Sequence, residues 1–193
     1  MAKRLTRAFF RRSVLEVAPD LIGVTLLVDG VGGRIVESEA YARDEPASHA
    51  FPGPTKRNAS MFGPPGRAYV YFSYGVHWML NIVCGASEGA GDAVLIRALE
   101  PTAGLELMRE RRGREAILEL CRGPGRLGQA LAIGPDLDGE PIGAGRIELR
   151  VGPAPGPLVQ TPRIGISRAR DLPWRFALEG SPYVSPYRRS RSA

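Results

Sequence analysis

Hydrophobic and polar positions change period several times along the chain, and each change marks an element. In "SVLEVAPDLIG" apolar residues recur at helical spacing, with Ser13 as a capping residue in front and Gly23 as a stop behind. "VTLLVDG" and "GRIVESEAY" then read as two strands joined by a glycine-rich turn at 30–33. In the second strand a period of two places Ile35, Glu37, Glu39 and Tyr41 on one face and Arg34, Val36, Ser38 and Ala40 on the other. "AYVYFSYGVHWMLNIVC" is a hairpin of aromatic and β-branched residues with a tight turn near Gly75. Tyr69, Tyr71 and Ser73 share one of its faces, and Val70, Phe72 and Tyr74 the other. Both faces are largely apolar, so one belongs to the core and the other faces a second layer or lines a pocket.

"DAVLIRALEP" is a further strand. The longest helical pattern runs from Thr102 to Leu120, with Leu105, Met108, Ile117 and Leu118 inward, although Gly113 weakens it. "GRLGQALAI" predicts a shorter helix, and "GRIELRVG", "TPRIGIS" and "WRFALEG" late strands. Between the strands, residues 43 to 66 form a Pro/Gly/Asn-rich loop too long for a simple connector, a kind that is often functional. The 193 residues fit one domain, and the 24 Gly and 17 Pro spread through them favour a loop-rich α+β fold over a bundle.

Charge refines this picture by its layout. The total is +6, but residues 1–12 hold five basic and no acidic side chains, and residues 163–193 hold seven basic against two acidic. The organisation expected is a basic arm at 1–12, a domain at 13–186 and a basic tail at 187–193. The ends serve either to track phosphates or simply to stay solvated. An organelle-targeting reading of "MAKRLTRAFFRRS" stays open beside the arm. No apolar run approaches the roughly 20 residues of a membrane span, so no membrane partner is expected. A soluble monomer is expected, in the cytoplasm or nucleoid of a bacterium, or the nucleus of a eukaryote.

Scarce residues exclude whole classes of chemistry. There are two Cys, Cys84 and Cys121, and two His, His49 and His77. No C-x-x-C, H-E-x-x-H or H-x-E with a following P-C-x-x-C occurs, so neither a structural zinc site nor a zinc deaminase site is expected. The two Cys read as buried thiols. No G-x-x-x-x-G-K-[ST] occurs, and the Gly-rich stretches lack the strand, G-x-G-x-x-G, helix context that a dinucleotide site needs, so nucleotide cofactors have no visible home.

One window remains chemically distinctive. Between Glu45 and Glu88 there is no acidic residue, yet the stretch holds both His, seven of the 14 aromatics, and Lys56, Arg57 and Arg67. Such a surface can approach phosphates and stack on bases; the plainer account is an ordinary core hairpin with a chance gap in acids. Glu37 and Glu39, at i and i+2 on one strand face, lie roughly 6.5–7 Å apart. Acids so placed are most often solvated or paired with Arg, but one beside Tyr41 and close to this window can serve as a general base. Tyr74, directly before the turn glycine, is poorly placed for a core and well placed as a wedge into a base stack. Asn81, within "MLNIVC", is a buried amide that is either structural or selects what enters a pocket.

Taken together, "GRIVESEAY", "HAFPGPTKRNASMF", "PGRAYVYFSYGVHWMLNIV", "AVLIRALEP", "GPGRLGQAL", "RIGIS" and "GSPYVS" resemble the alkyladenine (3-methyladenine) DNA glycosylase family, in order across most of residues 14–186. The resemblance implies an α+β fold with a curved antiparallel sheet flanked by helices, no metal or cofactor, and double-stranded DNA containing damaged purines as the partner. By position it implies Glu39 as general base, Arg97 as a holder of the nucleophilic water, and Tyr41, His49 and Tyr71 as rings that clasp a flipped base. It also implies Tyr74 as the intercalating residue, Asn81 as the group that crowds the amino group of guanine, and Ile166 as a backbone carbonyl that positions the water. Two departures accompany it. The segment from Tyr41 to His49 is one residue shorter than in vertebrate members, and His77 and Trp78 stand where other aromatics are usual. With only Lys3, Lys56 and the amino terminus as amines, a Schiff-base lyase step is not expected.

Overall fold

The computed structural model describes residues 5–143 and 145–186. Helix α1 (Arg7–Phe10) and helix α2 (Val14–Asp20) open the chain. Ser13 caps α2 as predicted: its Oγ accepts from the Leu15 N–H, and the Glu16 carboxylate accepts from the Ser13 N–H, satisfying donors the helix cannot. Phe10, within the basic amino-terminal stretch, is fully packed in the core beside Val14, Val17 and Ala18.

Strands β1 (Thr25–Val28) and β2 (Val31–Tyr41) follow, then β3 (Ala68–Ser73), β4 (His77–Cys84) and β5 (Asp92–Ala103). Helices α3 (Leu105–Arg112) and α4 (Pro124–Ala130) and the short strands β6 (Ile147–Arg150), β7 (Leu158–Thr161) and β8 (Arg175–Leu178) complete the fold. All pairings between these strands are antiparallel, in the order β3-β4-β5-β2-β1-β6, with β8 joining β2 beyond the end of β1 and β7 joining β8. The result is a single α+β domain with a strongly curled, half-barrel sheet. No helix among the described residues is long and apolar enough to cross a membrane.

Several expectations are corrected. The turn between β1 and β2 is Asp29-Gly30, both left-handed, and Gly32 and Gly33 are paired strand residues. A Cβ at Gly33 would lie 2.0 Å from the Glu100 carbonyl oxygen, so these glycines serve close strand approach. The pattern from Thr102 to Leu120 breaks into α3 and a 3-10 turn at Ile117–Glu119. Gly113 ends α3 in the left-handed conformation, Thr102 still belongs to β5, and Leu118 is exposed although Met108 is fully buried. "TPRIGIS" is a strand only at Thr161; residues 162–167 are irregular and reach across the sheet.

A bulge in β2 also overrides simple alternation. Ile35 pairs with Leu99 but Glu37 with Ala98, so Val36 is the extra residue. Ile35 consequently packs in the main core with Ala40, on the side where Ser38 Oγ donates to the Ala18 carbonyl of α2. Glu37, Glu39 and Tyr41 are left together on the other side. Every residue from Ile35 to Ala40 is buried, because β2 has strands on both edges and chain on both faces.

Candidate active site

Two carboxylates buried in a sheet must be paired or they would be protonated or expelled. Arg97 of β5 supplies one partner for both. Its Nε donates to Glu37 Oε1 at 2.9 Å and its Nη1 to Glu39 Oε2 at 3.0 Å. Glu37 is further bound by Arg175 Nε of β8 and by the Ser185 N–H and hydroxyl, each at 2.7 Å. Burial pushes the Glu37 carboxyl up, but Arg97 and Arg175 outweigh it and hold it below its ordinary value of 4.5. Burial likewise opposes the charge on Arg97, and the two carboxylates more than restore it.

Glu39 is held differently. Its Oε2 also accepts from the Tyr41 hydroxyl at 3.0 Å, and its Oε1 accepts from the Ile164 N–H at 2.8 Å. A carboxylate offers about four lone-pair directions. Three are taken by donors among the described residues, and one on Oε1 is not. Burial first, and then the Glu39 charge, push the Tyr41 phenol far above its ordinary range, so Tyr41 is a proton donor in this contact.

The three partners of Glu39 line one wall of an open cavity of about 930 Å³. Glu39 itself has no exposed surface and lies immediately behind them. The other residues singled out from the sequence also gather there: Tyr41, His49, Tyr71, Tyr74, Asn81 and Ile166 all line the cavity. His49 and Arg57 come from the long loop at 43–66, and Arg57 and Arg168 place positive charge at the cavity.

Ring geometry is specific. His49 meets Tyr71 edge to face, with centroids 4.5 Å apart and planes at 77°, and Tyr69 stacks on Tyr71 at 5.5 Å. In this arrangement no base fits between His49 and Tyr71 themselves, and a base that touches all three rings lies between Tyr41 and that pair. His49 Nδ1 is 2.9 Å from the Tyr69 hydroxyl, and the His49 carbonyl accepts from Asn58 Nδ2 at 2.7 Å. Partial burial and nearby Arg57 hold the imidazole below its ordinary pKa, hence neutral at pH 7. Burial and then Glu39 push the Tyr71 phenol up to about 12. Asn81 is 4% exposed and donates to the Tyr69 carbonyl, its neighbour across the hairpin.

Alternation assigned Tyr74 to the face of Val70 and Phe72. The chain instead turns left-handed at Tyr74 and Gly75, so Tyr74 leaves that face, stands 88% exposed and borders the cavity with Tyr69 and Tyr71. Phe72 packs on Trp78 outside the cavity, and His77 packs against Gly125 of α4.

Three further residues escaped the sequence reading. Asn58 is buried and bonds Thr55, His49 and Gly53, holding the long loop closed. Arg163 and Glu45 form a buried two-point ion pair, with Arg163 Nη2 to Glu45 Oε2 at 2.9 Å. A lone Arg and a lone Glu 118 positions apart carry no periodic signal, so only the fold reveals the pair.

Matching against known families places residues 8–182 in one of them, described as methylpurine-DNA glycosylase. The chain belongs to the methylpurine-DNA glycosylase family. It is therefore a DNA glycosylase, an N-glycosyl hydrolase, and its partner is DNA. A relative from Rhodopseudomonas palustris strain HaA2 is 58% identical over 183 residues, which is 94% of this chain and 90% of the relative. Relatives from Nitrosospira multiformis (56% identical, 93% of each chain) and Rhizobium meliloti strain 1021 (54% identical, 92% of this chain and 94% of the relative) match over similar lengths. Each is named as a candidate 3-methyladenine DNA glycosylase. Among the described residues, no group of three or more His, Cys, Asp or Glu stands close enough to hold a metal ion. Cys84 and Cys121 are free and buried, as the sequence suggested.

Proposed function

We propose that this glycosylase removes alkylated purines, above all 3-methyladenine and 7-methylguanine, from double-stranded DNA, using Glu39 as the general base for water. The observation that carries this reading is the Glu39 carboxylate, held by three donors that all line an aromatic cavity, with a single lone pair left over on Oε1.

The steps follow from that arrangement. Tyr74 enters the base stack as the damaged nucleotide turns into the cavity, offsetting the few kcal/mol that unstacking costs. The base lodges against Tyr41, Tyr71 and His49, whose π faces attract the cationic ring of an alkylated purine. Water admitted to the remaining lone pair of Oε1, which the wall of Tyr41, Arg97 and Ile164 covers in the unliganded protein, attacks C1′ as the C1′–N bond breaks. The bonding electron pair leaves with the base, which departs neutral because it carried the positive charge. Glu39 takes the proton from the water, and a second carboxylic acid is not needed. Arg97 and Glu37 keep Glu39 oriented, the Ile166 carbonyl assists in placing the water, and Asn81 crowds the extra amino group of normal guanine. The enzyme acts as a monofunctional glycosylase: Lys56 is exposed and outside the cavity lining, so among the described residues no amine stands ready for a Schiff base. It works as a monomer, and its bacterial relatives support a place in the cytoplasm beside the nucleoid.

A non-catalytic DNA-binding module would account for the aromatic rings and the basic rim, but not for a carboxylate gripped at three points behind them. The test is a panel of substrates. Purified protein should release 3-methyladenine and 7-methylguanine from duplex DNA, and neither from the corresponding RNA or free nucleoside. The same panel reads hypoxanthine and ethenoadenine, neutral lesions that need more help in leaving. Binding to all duplexes without release from any would leave only the binding-module reading.

A further inference from the structure

We propose that the buried Glu45–Arg163 pair is a positioning element that ties the base-holding loop to the two groups that orient Glu39. Arg163 has four attachments. Its Nη1 and Nη2 grip Glu45, Nη1 also donates to the Ala40 carbonyl at 2.9 Å, and its guanidinium lies 4.6 Å from the Tyr41 ring centroid and 5.3 Å from that of Trp174. Both partners are almost fully buried, at 5% and 4% exposure.

The consequence comes from what adjoins these contacts. The residue after Arg163 is Ile164, whose N–H holds Glu39 Oε1. The ring behind which Arg163 stacks is Tyr41, whose hydroxyl holds Glu39 Oε2. Arg163 therefore fixes two of the three donors to Glu39, the third being Arg97. Glu45 lies in the irregular segment that leads to His49, and its Oε2 also accepts from the Ala47 N–H. Neither residues 42–50 nor residues 162–166 have strand partners of their own, so this ion pair is what registers one segment against the other. A planar, two-point grip suits that task better than a point charge. A shift of the loop is thereby felt at the carboxylate, although neither Glu45 nor Arg163 meets the reacting atoms.

This rests on the reading of Glu39 as the base, and the experiment separates the two. Excision of 7-methylguanine from duplex DNA is measured under single-turnover conditions for the unsubstituted protein, Glu45→Gln, Arg163→Lys and the double variant. Lesion-DNA Kd, thermal melting and amide hydrogen exchange are measured alongside. Absence of excision by the unsubstituted protein defeats the functional reading, and exchange then judges the pairing alone. The pairing predicts that Glu45→Gln raises exchange at 42–50 and at 162–166 together. In active protein it predicts that the chemical step falls by about 10- to 100-fold while Kd stays within about two-fold, well below the melting temperature. Arg163→Lys should fall too, despite keeping its charge, and the double variant should lose little more than either single one. Should Arg163→Lys fail to fold, Glu45→Gln alone decides. Folded variants with an undiminished chemical step, a loss confined to Kd, or exchange raised in only one segment would overturn the proposal.

Discussion

At the scale of single residues, the informative contrast is between two glutamates two positions apart. Spacing alone left each open to pairing with Arg or to acting as a base. Glu37 is enclosed by Arg97, Arg175 and Ser185, whereas Glu39 shares Arg97 but turns toward the cavity wall. Glu37 thereby acts as a counter-charge. Because its folded pKa is depressed, the stability it contributes is fully present above 4.5 and is lost as pH falls through the lower folded value. Glu37→Gln should therefore destabilise by about 3–5 kcal/mol near neutral pH, the range for breaking a buried pair. Its urea stability should also depend less on pH on the acid side than that of the unsubstituted protein. An equal acid dependence in both would show that Glu37 is not the group titrating.

At the scale of elements, the strands were legible because their apolar and β-branched runs are long: β2, β4 and β5 all appear where alternation placed them. What alternation could not see was a one-residue bulge at Val36 and the left-handed turn at Tyr74, each of which moves side chains to a different face. The residues that gather at the cavity were legible through motif resemblance. The Glu45–Arg163 and Asn58 contacts were not, because irregular segments meet by tertiary contact and have no period. Glycines show the same limit. Gly128 lies inside α4, where Ala would ordinarily stabilise by up to about 1 kcal/mol. A Cβ there would sit 2.1 Å from the Trp78 carbonyl oxygen, so α4 packs on β4 through its lack of a side chain. Gly128→Ala should lower the melting temperature, with a cost of about 1–3 kcal/mol typical of overpacking. A rise in melting temperature would show that the helix–sheet contact yields instead.

At the scale of the whole molecule, the net charge of +6 matters less than where charge gathers. The basic tail at 187–193 lies outside the described residues, but Arg57 and Arg168 stand exposed at the cavity among aromatic rings. A duplex docked there should release counterions, so log K falls linearly with log salt, by about 0.9 for each phosphate neutralised. Arg168→Ala should flatten that slope by about 1 and weaken lesion and normal DNA alike. An unchanged slope would place the phosphate track elsewhere. The curled sheet brings this rim, the exposed Tyr74 and the three donors that hold Glu39 to one cavity, and the proposal that joins them is that Glu39 activates water. The most direct test is single-turnover release of 7-methylguanine from duplex DNA by Glu39→Gln. Release should be abolished while affinity for lesion DNA stays close to that of the unsubstituted protein; release at an undiminished rate would contradict the account.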